Sequence, residues 1–260
     1  MIRRLLPVVL LALALAGCGG GGDSTTSPTT STASAELGTP LTRTQAQALA
    51  RVLSNNAEKG GARFRLRNPL PDGRALLMTG QIDFLASKGT MLLQVEGTGG
   101  VPSRGRRLAW KRATIFEGDI PGLTAAMVKR GRPGIQWVSR PAALAAGPVD
   151  ESIAILNKLA APKPENPVLL QQGKNAYVRS DVLGSTKVDV FRVGLTRLTA
   201  TTADALLLKF EARIGTARTT GTVTLSGHGP QRVVLPTPAT TVDLASIRPL
   251  YRQLVRSANG

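Results

Sequence analysis

The chain has 260 residues and a formal net charge of +17, with one cysteine, Cys18, and one histidine, His228. A single thiol excludes an internal disulfide, and a single imidazole leaves His- and Cys-based metal centres and Ser-His or Cys-His hydrolases short of parts. Arg outnumbers Lys amid abundant Ala, Gly and Thr, a pattern that GC-rich coding produces by itself, so the charge alone specifies no partner.

The N-terminus carries Arg3 and Arg4, then the apolar run Leu5 to Ala16, and reaches Leu15-Ala16-Gly17-Cys18. This is the order of a charged n-region, an h-region and a small-residue cleavage site. The run is too short to span a bilayer as a mature helix. Its ending resembles the bacterial lipobox, in which the Cys thiol takes a diacylglyceryl thioether before cleavage makes that Cys the new N-terminus. Residues 1–17 are therefore read as a lipoprotein signal peptide and Cys18 as the lipidation site, on the extracytoplasmic face of a cell membrane. Export makes nucleic acid an unexpected partner, whereas anionic headgroups and phosphate-bearing wall polymers would attract a basic surface.

After Cys18 the chain is Gly/Ser/Thr-rich and has almost no apolar side chains with which to offset the entropy of ordering. Residues 18–40 thus form a flexible tether, with a reach of roughly 20 to 25 Å for about 17 residues. Residues 41–260 are expected to form a single domain.

Thr42 and Gln45 stand at capping-box spacing, and Ala46, Leu49, Ala50 and Leu53 follow at helical spacing until Gly60 and Gly61. The period then falls to two. Ala62, Phe64 and Leu66 alternate with Arg63, Arg65 and Arg67; Met78, Ile82 and Phe84 alternate with Thr79, Gln81 and Asp83; Met91, Leu93 and Val95 alternate with Leu92, Gln94 and Glu96. A further strand is expected across Leu108 to Glu117, with Trp110 and Phe116 on one face. Ile135 to Val138 is a short strand, and Pro148-Val149-Asp150 opens a helix with the stripe Ile153, Leu156, Leu159 and Ala160. Strands return at 188–193, 206–214, 219–225 and 232–235, before a closing helix from about Ser246 to Val255. In 206–214 the even positions Leu206, Leu208, Phe210, Ala212 and Ile214 are expected to point inward. Neighbouring strands with short turns and few helices argue for an antiparallel sheet in an α+β fold, with helices 42–59 and 151–161 over its apolar face.

These features together resemble the actinobacterial LppX/LprAFG lipoprotein family, whose fold is related to the LolA and LolB lipoprotein carriers. The likeness rests on the lipobox at Cys18, the Ser/Thr tether, the amphipathic first helix and the strand Gly80-Gln81-Ile82-Asp83-Phe84 followed by Lys88-Gly89-Thr90. It continues in the Trp137 strand, the helix Ile153-Ala154-Ile155-Leu156 before a proline-rich break, and the strand pair ending Gly227-His228-Gly229-Pro230. The resemblance implies a strongly curved antiparallel β half-barrel with helices packed on the concave face, and space for acyl chains between sheet and helices. Gly97-Thr98-Gly99-Gly100 and the Arg-rich stretch after it depart from the compact turn of the family.

No G-x-S-x-G or phosphate-binding loop is present, and His228 reads as a loop residue in Gly-His-Gly-Pro. Carboxylates for glycoside chemistry exist, but two Trp and two Tyr in all leave few aromatic platforms. The expectation is a non-enzymatic lipoprotein, without cofactor or metal, that binds a lipid or glycolipid in an apolar cavity and carries or presents it. Its partners would be the membrane, through Cys18, and an envelope transporter, with the protein itself a monomer. The expected cavity walls are Phe64, Leu66, Met78, Ile82, Phe84, Met91, Leu93, Val95, Trp110 and Phe116. The alternative is an interaction lipoprotein whose core is filled by those same side chains, docking on a wall polymer, a partner protein or the anionic membrane.

Overall fold

The structure is a computed structural model and describes residues 38–97, 99–103, 105–143, 147–214 and 219–259, with side chains through 256. Cys18, the signal peptide and most of the tether lie outside the described residues.

The elements in order are β1 (Thr39–Pro40), α1 (Arg43–Lys59), β2 (Gly61–Pro69), β3 (Ala75–Asp83), β4 (Lys88–Glu96), β5 (Arg106–Lys111), β6 (Thr114–Gly118) and α2 (Leu123–Val128). Then come β7 (Trp137–Pro141), α3 (Pro148–Asn157), α4 (Pro167–Gln172), β8 (Ala176–Leu183), β9 (Thr186–Val193), β10 (Thr196–Thr201), β11 (Leu207–Ile214), β12 (Thr219–Ser226), β13 (Thr241–Asp243) and α5 (Leu244–Asn259). The strands make one open sheet in the order β1-β8-β9-β10-β11-β12-β2-β3-β4-β5-β6-β7-β13. Every pairing is antiparallel except β7 with β13. The fold is α+β.

Local chemistry starts α1 where expected. The Thr42 hydroxyl accepts from the Gln45 amide while the Gln45 side chain accepts from the Thr42 amide, and Gly60 ends the helix at φ +85°. On β2 the alternation holds: Ala62, Phe64 and Leu66 are buried, and Arg63, Arg65 and Arg67 are exposed. The pairing register continues this inner row across the sheet as Leu225, Phe64, Gly80, Met91, Leu108, Glu117 and Val138. Helix α1 touches β2 and β11, and α3 touches β11. Leu49 and Val52 of α1, Ile153 and Leu156 of α3 and Leu170 of α4 share one apolar core with the sheet's inner face. A smaller core joins Leu123 and Met127 of α2, Val138, Val242 and Ile247.

Three expectations are corrected. Residues 108–117 are not one strand but the hairpin β5–β6, with Arg112 at φ +52° in its turn. Trp110 pairs with Ile115, and Phe116 pairs with Ala109, so Phe116 faces away from Trp110. In β11 the pairing to β10 shifts register at Leu208, and the extra residue lets Leu207 turn inward, where it is fully buried. Residues 232–235 join no strand.

That last segment belongs to the connection from β12 to β13. Residues 227–240 leave β12 beside β2 and deliver the chain to β13 beside β7, so β2 through β7 lie between the two ends. The connection is tied to the face opposite α1. The Gln81 side chain, on that outer face, donates to the Arg232 carbonyl at 2.7 Å, and the Gly229 amide donates to the Gly61 carbonyl at 2.9 Å. We call residues 227–240 the strap.

Candidate functional site

A cavity of about 810 Å³ lies between the strap and the outer face of β2, β3, β4, β5 and β12. One side is polar and cationic. The register sets Ser226, Arg63 and Gln81 in one cross-strand row and Thr224, Arg65 and Thr79 in the next. All six side chains line the cavity. The other side is apolar, formed by Leu92 and Trp137 with Val234, Leu235 and Pro236 of the strap.

Trp137 is held in place by backbone and charge. Its ring lies against Gly118, where an added Cβ would sit 2.8 Å from it. The Arg107 guanidinium stands 5.1 Å from the ring centroid and is fixed by Asp119 through hydrogen bonds of 2.7 and 2.8 Å. The Asp119 hydrogen bond raises the Arg107 pKa, so this cation stays charged and is already balanced.

His228 stands at the start of the strap, half-buried, with Nε2 3.0 Å from the Leu207 carbonyl. Burial lowers its pKa, and the hydrogen bond to Leu207 only partly opposes that.

The helix side of the sheet holds a smaller apolar cavity of about 220 Å³, among Leu49, Leu53, Ile155, Leu170, Leu198 and Phe210. A third space of about 220 Å³ adjoins Leu93, Val149 and a charged cluster. In that cluster Arg140 donates to Glu117 at 2.6 Å and to both Asp150 oxygens at 2.7 Å, while the Tyr251 hydroxyl donates to Glu117 at 2.6 Å.

The expected cavity walls are therefore mostly a filled core. Leu66, Met78, Ile82 and Trp110 are fully buried, and Phe84 is nearly so. Trp110 packs edge-on to Phe64 at 6.1 Å and donates to Asn157 at 2.9 Å. Leu93 and Val95 are half-buried against that core, and Phe116 is on the opposite face. Only Phe64 and Met91 of the ten border the large cavity. The residues that sequence reasoning missed are the outer-face partners of the same strands, Arg63, Arg65, Thr79, Gln81 and Leu92. Their alternation was visible, but nothing local announced that a distant segment would cover them.

No family model and no curated protein matches the sequence. Among solved structures, the chain is similar to an uncharacterized conserved protein from Thermus thermophilus. The match covers 76% of this chain and 98% of that one, at 11% identity and a TM-score of 0.38, a likeness that carries no argument about function.

Proposed function

We propose that this is a non-enzymatic, Cys18-anchored lipoprotein of the cell envelope that binds a lipid or lipoglycan in an apolar cavity and carries or presents it. The observation that carries this reading is the cavity of about 810 Å³ under the strap. It lies within the range of roughly 300–1,000 Å³ usual for ligand sites, and its lining joins an apolar side to a polar, cationic one. At about 25 cal/mol per Å², removing roughly 300 Å² of acyl surface from water is worth about 7.5 kcal/mol before ordering losses.

The sheet is taken as a strongly curved half-barrel with its helices on the concave face, as in the LppX/LprAFG-like resemblance. The ligand, however, is assigned to the strap side. The helix-side space of about 220 Å³ is below the usual ligand range. A monomer delivering its ligand between the membrane and an envelope transporter completes the proposal.

The filled core around Leu66, Met78, Ile82 and Trp110 favours a second reading, an interaction lipoprotein that docks on a wall polymer, a partner protein or the anionic membrane. Organic extraction of protein purified with its signal intact, followed by mass spectrometry, separates the two. Near-stoichiometric release of lipid other than the anchor is expected. Release of anchor lipid alone would exclude the carrier.

A further inference from the structure

The outer face of β2 and β5 carries Arg63, Arg65, Arg67 and Arg107, and their charges are not treated alike. Arg67 pairs with Glu96 at 2.8 Å, and Arg107 pairs with Asp119 at 2.7 Å. Arg63 and Arg65 make no ion pair among the described residues, and these are the two that border the cavity in the middle of their cross-strand rows. No carboxylate lines the cavity among the described residues. The flanking groups are hydroxyls and an amide: Thr224 donates to the Arg65 carbonyl at 3.3 Å and Gln81 to the Arg232 carbonyl at 2.7 Å, which leaves the Ser226 and Thr79 hydroxyls and the second Gln81 amide hydrogen able to donate to an anion.

Resting on the lipid-binding reading, we propose that the cavity selects an amphiphile with an anionic, phosphate-type head. The head sits on the Arg63–Arg65 block, and the apolar chain runs toward Leu92, Trp137 and Leu235. Guanidinium groups match phosphate oxygens bidentately, and such charge-assisted bonds are about twice as strong as neutral ones. At the far end the Arg107 charge is already satisfied by Asp119, so that end offers an apolar wall instead of a second anion site. The polarity of the cavity thus fixes the direction in which the ligand lies.

The test titrates the full-length protein carrying Trp110→Phe, so that Trp137 is the only fluorophore of its kind, at low salt with inorganic phosphate and with dodecyl phosphate and dodecyl maltoside below micelle formation, following Trp137 fluorescence. Dodecyl phosphate should bind at least tenfold more tightly than dodecyl maltoside. Arg63→Gln/Arg65→Gln should reduce that preference to within about threefold and keep the urea midpoint of the wild type. Arg67→Gln, which removes a cation already paired, should retain the preference. Equal binding of the two amphiphiles by the wild type would overturn head selection while the carrier proposal stood. Binding of neither would overturn both, and inorganic phosphate binding as tightly as dodecyl phosphate would reduce the site to one for a free anion.

Discussion

Arg140 illustrates how much one buried side chain can organise. It joins Glu117 on β6 to Asp150 on α3, and Glu117 in turn accepts from Tyr251 on α5. Asp150 is 3% exposed, and removing one partner of such a pair strands the other without compensation. Arg140→Met is expected to cost about 3–5 kcal/mol, read from urea unfolding at pH 7. The two ends of the network also titrate in opposite directions. Burial would raise the Asp150 carboxyl, but the Arg140 and Ala143 hydrogen bonds hold it below its ordinary value. Its contribution is therefore present above the unfolded pKa of about 3.9 and is lost as pH falls through the folded one. Asp150→Asn should flatten that part of the acid limb of stability against pH. Burial and the Glu117 charge push the Tyr251 hydroxyl up to about 12. Its contribution is full below the unfolded pKa of about 10 and disappears between there and about 12, so Tyr251→Phe should remove that alkaline loss.

At the scale of elements, β2 and β11 differ in how closed their inner faces are. Leu66 is fully buried, whereas Phe210 is half-buried and borders the helix-side cavity of about 220 Å³. Leu66→Ala is expected to lose about 2–5 kcal/mol in chemical denaturation, and Phe210→Ala less than the roughly 3 kcal/mol that marks the low end for a closed core. A loss from Phe210→Ala as large as about 5 kcal/mol would mean that the cavity collapses around that ring. The seat of Trp137 is a separate matter of close approach. Gly118→Ala would place a methyl group 2.8 Å from the indole. The ring should move into the cavity, changing its fluorescence and weakening amphiphile binding while the core around Trp110 stays intact.

For the whole molecule, the proposed anchor and the folded region make separable predictions. Cys18→Ala should leave the domain folded but shift it from the detergent phase to the aqueous phase, since the only thiol is gone. Persistent detergent partitioning of that variant would remove the lipid anchor from the proposal. Among the described residues, no helix is long and apolar enough to cross a membrane.

Much of the architecture was legible because its causes are local. Thr42 and Gln45 cap α1 across three residues, and the two-residue period of Arg63, Arg65 and Arg67 against Phe64 and Leu66 sorts β2 into an inner and an outer face without reference to the rest of the chain. Phe116 escaped because the turn at Arg112 reverses the chain and thereby changes which positions share a face. Leu207 escaped because a bulge depends on the strand opposite. The cavity was beyond reach for a stronger reason: its floor combines strands between residues 63 and 108 with Trp137, Thr224 and Ser226, and its cover comes from residues 234–236. Backbone alternation sorted the side chains of β2, β3 and β4 onto their two faces without help from the rest of the chain. Which face α1 and α3 would pack and which the strap would roof depended on the assembled sheet, because the strap reaches Gln81 from residue 232, 151 residues away, and α1 meets β11 across a similar span.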